Sequence, residues 1–269
     1  SNSDNKAPSL QTSDDWGSSG NLFYVVNSIA PIYPLYVRNA DGSIMINQAT
    51  GKPVYDASTT TNFHRAGATG NAVRDIDYNI YQDNRDLFTG KWYAQLTPIE
   101  GLVITANIAA NLQNDRANRL YSTFGSNSSV DGAAYVYSER LFSVNNQYMA
   151  DYSHTFAKKH NFEVLAGYEQ YKMKDQFLDG YNDHLYDPFI GELSNAGGSA
   201  SKTTTSYTNS YMSEGFFGRV QYDYDGKYFG SVSYRHDGSS RFAKDNRWGD
   251  FGSVGAAWLI TKEKFMENL

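Results

Sequence analysis

The chain has 269 residues, of which 19% are charged and 15% aromatic (22 Tyr, 15 Phe, 4 Trp), and its net charge is -6. Disordered chains are poor in aromatics, and nucleic-acid binders carry a basic face, so the composition argues against both. Zero cysteines exclude disulfides and thiolate chemistry. A mean hydropathy of -0.58 with no long apolar run excludes a transmembrane helix, but not a membrane β-barrel, whose apolar residues alternate with polar ones.

The chain opens on Ser1-Asn2-Ser3 with no apolar leader, so any secretory signal is expected to have been removed together with further chain. Residues 1–87 read as an N-terminal segment and a long loop. The acidic run from Asp75 through Asp77, Asn79 and Asp83 to Asp86 has calcium-loop spacing. However, Ile80 stands where that loop needs glycine, and Asp86 where it needs a bidentate Glu. A solvated acidic loop is the better reading.

From Phe88 the dominant signal is period-two alternation, which predicts seven strands over 88–260. Phe88, Gly90, Trp92, Ala94 and Leu96 share one face, with Lys91 and Gln95 opposite. Leu102, Ile104, Ala106, Ile108, Ala110 and Leu112 oppose Thr105, Asn107 and Asn111. Phe142, Val144, Tyr148, Ala150, Tyr152 and Phe156 oppose Ser143, Asn145, Gln147 and Asp151. Phe162, Val164, Ala166 and Tyr168 oppose Glu163 and Glu169. Phe216, Gly218, Val220, Tyr222 and Tyr224 oppose Arg219, Gln221 and Asp223. Tyr228, Gly230, Val232 and Tyr234 oppose Ser231, Ser233 and Arg235. Val254, Ala256, Trp258 and Ile260 share the face of the last strand.

Several of these runs reach ~10 residues, enough to cross a bilayer when tilted. Connections alternate between tight (98–101, 157–160, 224–226) and long (114–140, 179–207, with 238–247 intermediate). That is the plan of an outer-membrane barrel, with short turns on the periplasmic side and long loops outside. In the last tight hairpin, equal faces allow Tyr222 to pair with Tyr228 and Asp223 with Lys227, around a three-residue loop ending in Gly226.

In a soluble sandwich the apolar face would point inward, and in a membrane barrel it faces lipid. Small residues on the apolar face, charges on the other and Tyr or Trp near strand ends favour the membrane. The fold class is therefore all-β, an antiparallel transmembrane barrel segment. Lys91, Asp151, Glu163, Glu169, Arg219, Asp223 and Arg235 are the candidate lumen-facing charges. Residues 261–269 form a periplasmic connection. Seven strands cannot close a barrel of even count, so the chain is expected to be part of a larger one.

No catalytic motif stands out. The histidines (His64, His154, His160, His184, His236) have no metal-ligand spacing. Glu163 and Glu169 lie six apart on one strand, near 20 Å at ~3.3 Å per residue, too far for a glycosidase pair. Neither an enzyme, a metal nor a cofactor is expected.

The most specific segment is Arg235-His236-Asp237-Gly238-Ser239-Ser240-Arg241-Phe242, followed by Asn246-Arg247-Trp248-Gly249-Asp250-Phe251 and Ser253-Val254. It resembles the barrel signature of the SusC/RagA family of TonB-linked outer-membrane transporters. Gly252 departs from the pattern, which has proline there. Asn21 to Tyr24 and Ala30 to Tyr36 are also similar to a segment of that family.

The resemblance implies a 22-stranded barrel plugged by an N-terminal domain that imports oligosaccharides or peptides. It further implies a SusD-like surface lipoprotein partner and energy from the TonB complex. The plug and TonB box are not in this chain. The signature residues Asp237, Gly238, Ser239, Ser240, Arg241, Phe242, Asn246, Arg247, Trp248 and Gly249 read better as a network fixing a rim loop than as ligand contacts. A passive porin or adhesin barrel and a soluble carbohydrate-binding sandwich remain as alternatives, and nucleic acid is not expected as a partner.

Overall fold

In the computed structural model, residues 34–56, 71–124, 131–198 and 202–266 are described. Asn21 to Tyr24, Ala30 to Tyr33 and His64 lie outside them. A short helix, α1 (Ala72–Tyr78), is followed by seven strands. These are β1 (Ile80–Ile99), β2 (Leu102–Tyr121), β3 (Ala133–Phe156), β4 (His160–Asp183), β5 (Thr203–Tyr224), β6 (Tyr228–Ser239) and β7 (Trp248–Trp258). They form one sheet in the order β1-β2-β3-β4-β5-β6-β7, a continuous meander.

Alternation located all seven strands but understated the length of the first six and overran the last, since β7 ends at Trp258 and Ile260 opens a short 3-10 turn. β3 and β4 have 24 residues each, so the connections shrink to residues 122–132, 184–202 and 240–247. The acidic run is not a loop. Asp77 lies in α1, capped by the Asn71 side chain on the Val73 and Arg74 amides, and Asp83 and Asp86 lie in β1.

The turns at one end of the sheet are tight and left-handed. Gly101 has φ +83°, Ala157 and Lys158 have +50° and +59°, and Asp225 and Gly226 have +55° and +62°. Each consecutive left-handed pair forms the centre of a tight turn whose twist matches that of its strands. This overturns the expected register of the β5–β6 hairpin. Lys227 N–H donates to Tyr224 O (3.0 Å), and Tyr224 pairs with Tyr228 and Tyr222 with Gly230. The pairing is two residues away from the one expected, so every face survives, whereas a one-residue slip would have inverted them. The expected Asp223–Lys227 pair is absent. Asp223 accepts from the Gly226 amide (2.7 Å), and Lys227 turns to Glu263 (3.7 Å).

The chain divides into two compact units. The loop unit comprises Ser1–Asp86, Asn114–Glu139 and Phe177–Tyr207. The wall unit comprises Leu87–Gln113, Arg140–Gln176 and Thr208–Leu269. In the loop unit Leu120, Ala134 and Leu185 are buried together, with Leu193 and Ala196 against them. All the buried apolar residues found among the described residues belong to this unit.

The wall unit is inside out. Val254 is 83% exposed, and Phe88, Trp92, Leu96, Phe216, Val232 and Tyr234 are exposed on the same outward face. Two rows of aromatics bound that face. Near the tight turns, Phe156 stacks on His160 (4.6 Å), Phe162 meets Tyr222 (4.8 Å), Tyr224 meets Tyr228 (6.2 Å) and Tyr228 stacks on Trp258 (6.2 Å). At the other side Tyr168 meets Phe216 (4.9 Å), Phe216 lies near Trp248 (6.5 Å) and Trp248 stacks on His236 (4.6 Å). Trp248 and Trp258 are the two ends of β7. Their separation is ~33 Å along the strand, or ~25 Å in height after a ~40° tilt, which is the height of the apolar band of a membrane barrel.

Candidate functional site

With the apolar face turned outward, the chemistry lies on the other face, where odd-numbered residues stand in every strand. In the wall unit it is laced by hydrogen bonds between neighbouring strands. Thr89 donates to Asn111 (2.7 Å), Asn107 to Gln147 (3.1 Å), Thr155 to Asn161 (2.7 Å) and Asn161 to Asp223 (2.9 Å). Arg219 on β5 reaches Glu163 on β4 at 2.7 Å. Arg235 on β6 holds Asp237 through Nε (2.6 Å), reaches Glu169 on β4 (3.4 Å) and lies over the Phe217 ring at 5.5 Å.

Arg235 reaches across β5 because Gly215, which pairs with Asp237, leaves the space. A Cβ at Gly215 would stand 2.1 Å from Asp237 Oδ1 and 3.1 Å from the Arg235 guanidinium. Glu163, Glu169, Arg219, Asp223 and Arg235 are thus brought into cross-strand contacts. Lys91 and Asp151 stand on the same polar face.

The signature residues form a folded corner. Ser239 N–H donates to Arg247 O (3.0 Å), and Phe242 N–H to Ser239 O (3.3 Å). Ser240 extends the ladder toward β5, its amide donating to Met212 O (2.8 Å) while its Oγ accepts from the Met212 amide (2.9 Å). Arg247 Nε donates to Phe242 O (3.2 Å), and the Arg241 guanidinium lies over Tyr211 at 5.0 Å. The Asn246 amide closes a short turn on Ala243 O (2.9 Å). Gly238 faces Trp248 and Gly249 faces Asp237 across the β6–β7 ladder. A Cβ on Gly238 would stand 3.0 Å from the Trp248 ring.

The loop unit has polar and aromatic contacts of its own that the sequence pattern did not disclose. Arg85 pairs with Asp115 (2.6 Å) and Arg119 with Asp83 (2.5 Å), both between β1 and β2. Tyr137, Phe177 and Tyr207 form a ring ladder across β3, β4 and β5 (5.3 and 4.7 Å). The signal was present as odd-numbered Tyr, Asp and Arg continuing past the apolar stretch. It was hidden because the even positions there are polar too.

Two titrations outside the bilayer band follow from this packing. Burial, and then the Asp77 carboxylate that it hydrogen-bonds, hold the Tyr55 hydroxyl well above its ordinary value. Asp183, 2.7 Å from His184 Nδ1, raises that imidazole above 6.5. Among the described residues no His, Asp and Glu cluster is arranged to hold a metal.

An antiparallel meander with an outward apolar band between two aromatic rows and an ion-paired opposite face is the wall of an outer-membrane β-barrel. Its two edge strands leave ladder groups that a bilayer requires to be paired, so the wall needs further strands. The comparisons agree. No family model matches the chain. It is 27% identical over 250 residues to TonB-dependent receptor P26 of Formosa agariphila, covering 90% of this chain and 23% of that protein. It is 30% identical over 112 residues to TonB-dependent receptor SusC of Bacteroides thetaiotaomicron, covering 40% and 10%. The solved structure of the RagAB peptide transporter superposes with a TM-score of 0.68 at 23% identity, over 76% of this chain and 23% of that one, a likeness of fold. The chain is similar to TonB-dependent outer-membrane receptors, SusC among them, shares the barrel-wall fold of RagAB, and spans about a quarter of the length of the first of these relatives.

Proposed function

We propose that these strands form part of the wall of an importer for an oligomeric nutrient, an oligosaccharide or a peptide. On this reading the ion-paired face lines the lumen, with Lys91, Asp151, Glu163, Glu169, Arg219, Asp223 and Arg235 along it. The long connections lie outside the cell, beneath a SusD-like lipoprotein. The TonB complex supplies energy through parts of the protein upstream of this chain. The observation that carries the reading is the pair of aromatic rows ~25 Å apart on a face whose reverse is laced with charge. The similarity to TonB-dependent receptors supports the energised form of transport over a passive pore.

The test is uptake by cells carrying the full-length transporter. Deleting its gene should abolish growth on a limiting oligosaccharide or oligopeptide, and growth should likewise be lost when the proton gradient or TonB is removed. Uptake that persists without TonB would indicate a passive pore and defeat the reading.

A further inference from the structure

Beyond the aromatic row at the long-loop side, the outward face of the wall unit does not simply become polar. On β4, Tyr168 is followed at alternate positions by Gln170, Lys172 and Lys174. On β3 the same outward face carries Arg140, Phe142 and Val144. Arg140, Lys172 and Lys174 are exposed, and no described residue forms an ion pair with them. Glu214, on the same face of β5, is engaged nearer the aromatic row by Tyr168 (3.0 Å) and Gln170 (3.4 Å).

Pairing brings the cations and the apolar side chains to one level. The β3–β4 hairpin is bracketed by the Phe156–His160 stack at its turn and the Tyr137–Phe177 contact at its far end. Counting inward from these places Arg140 opposite residues 174–176, and Phe142 and Val144 opposite residues 170–174. Lys172 and Lys174 lie four and six residues past Tyr168. That is ~10–15 Å above the aromatic row at a ~40° tilt, in the headgroup layer rather than among acyl chains. Long cationic stems lie along neighbouring apolar surface and bring their charge to the anionic layer.

We propose that Arg140, Lys172 and Lys174, with Phe142 and Val144, bind the phosphorylated glycolipid of the outer leaflet. The cations hold the phosphates of its lipid A, and their stems lie along Phe142 and Val144 at the same level. The patch continues the lipid-facing band, so its occupant is a lipid. Three unpaired cations beside apolar surface complement an amphiphile that carries negative charge where its acyl chains begin. The inference rests on the reading above that the long-connection rim faces out of the cell.

The experiment uses the purified full-length transporter and native mass spectrometry. Bisphosphorylated lipid A and its monophosphorylated form are the probes. The combined Arg140→Gln, Lys172→Gln and Lys174→Gln variant should lose affinity for the bisphosphorylated probe on the order of a hundredfold, at about fivefold per cation near an anionic surface. Lys172→Arg with Lys174→Arg should retain it. Equal binding by parent and triple variant, or equal binding of the two probes by the parent, would overturn the site. Heat-modifiable gel mobility establishes that the triple variant still folds. Nutrient uptake by that variant should be unchanged, so lost lipid binding with intact uptake separates this site from the transport reading. Lys174→Cys should react with an impermeant maleimide on intact cells. Reaction only after the outer membrane is opened would overturn the proposal by placing the patch in the inner leaflet.

Discussion

The loop unit and the wall unit obey the same rule about water and apply it in opposite directions. In the loop unit Leu120 is 1% exposed, closed in by Ala134 and Leu185, as in any soluble core. In the wall unit Val254 is 83% exposed, and the polar groups occupy the other face. Apolar surface leaves water in both cases, but against protein in one and against lipid in the other. Truncating an apolar side chain should therefore have unequal consequences in the two.

The largest expected effect is in the loop unit. Leu120→Ala leaves a cavity among Leu185, Leu193 and Ala196 and should cost about 3 kcal/mol locally. Proteolysis of the full-length protein in bilayers should then cut residues 184–198 much faster, with the wall still protected. The matching change in the wall, Val254→Ala, removes a side chain that packs against no protein core and should change little.

A charge makes the wall face sensitive as well. Val232→Arg, on the outward face midway between the aromatic rows, should cost about 2–4 kcal/mol of folding into bilayers, measured by urea titration in lipid vesicles. If Val232→Arg were neutral in lipid, the face would not be lipid-facing and the contrast between the units would fail. A third change tests a turn rather than a face. Gly101 has φ +83°, and a Cβ there would stand 2.2 Å from the Ser153 carbonyl oxygen, with the Gly101 carbonyl already accepting from the Ser153 amide. Gly101→Ala should cost on the order of 1–3 kcal/mol in the same titration.

The contrast also accounts for what the sequence disclosed. Between the aromatic rows only one face is wet, so Leu102 to Leu112 and Phe216 to Tyr224 advertise their strands at period two. Beyond the band both faces are wet, and Asn114 to Tyr121 reads as loop although β2 runs through it. Strand ends and the Arg85–Asp115 and Arg119–Asp83 pairs were hidden for that reason. Seven strands, their faces and the signature segment were legible because each is local. The contact of Glu169 with Arg235 was not, because it crosses an intervening strand at Gly215. The hairpin register was misjudged because Asp225-Gly226 was read as the end of a three-residue loop. The pair is instead the centre of the Tyr224–Lys227 turn, and Lys227 is the third residue between the paired Tyr224 and Tyr228.

The smallest effect is electrostatic and separates the units by pH. His184 has φ +60°; its amide donates to Gly132 O (3.1 Å) and its carbonyl accepts from the Gly197 amide (2.9 Å). Its imidazole is exposed, and its partner carboxylate, Asp183, is buried. Because the hydrogen bond to Asp183 raises the folded-state pKa above 6.5, the protonated pair stabilises this corner fully below that value. The contribution is lost as pH rises through the raised value. Amide exchange in residues 184–198, corrected for intrinsic rates, should therefore show more protection at pH 6 than at pH 8. His184→Asn tolerates the left-handed backbone but carries no proton, so it should remove that difference. The central wall strands, held by lipid and ladder hydrogen bonds, should exchange alike at both pH values. An equal pH response in parent and His184→Asn would show that the imidazole does not hold this corner.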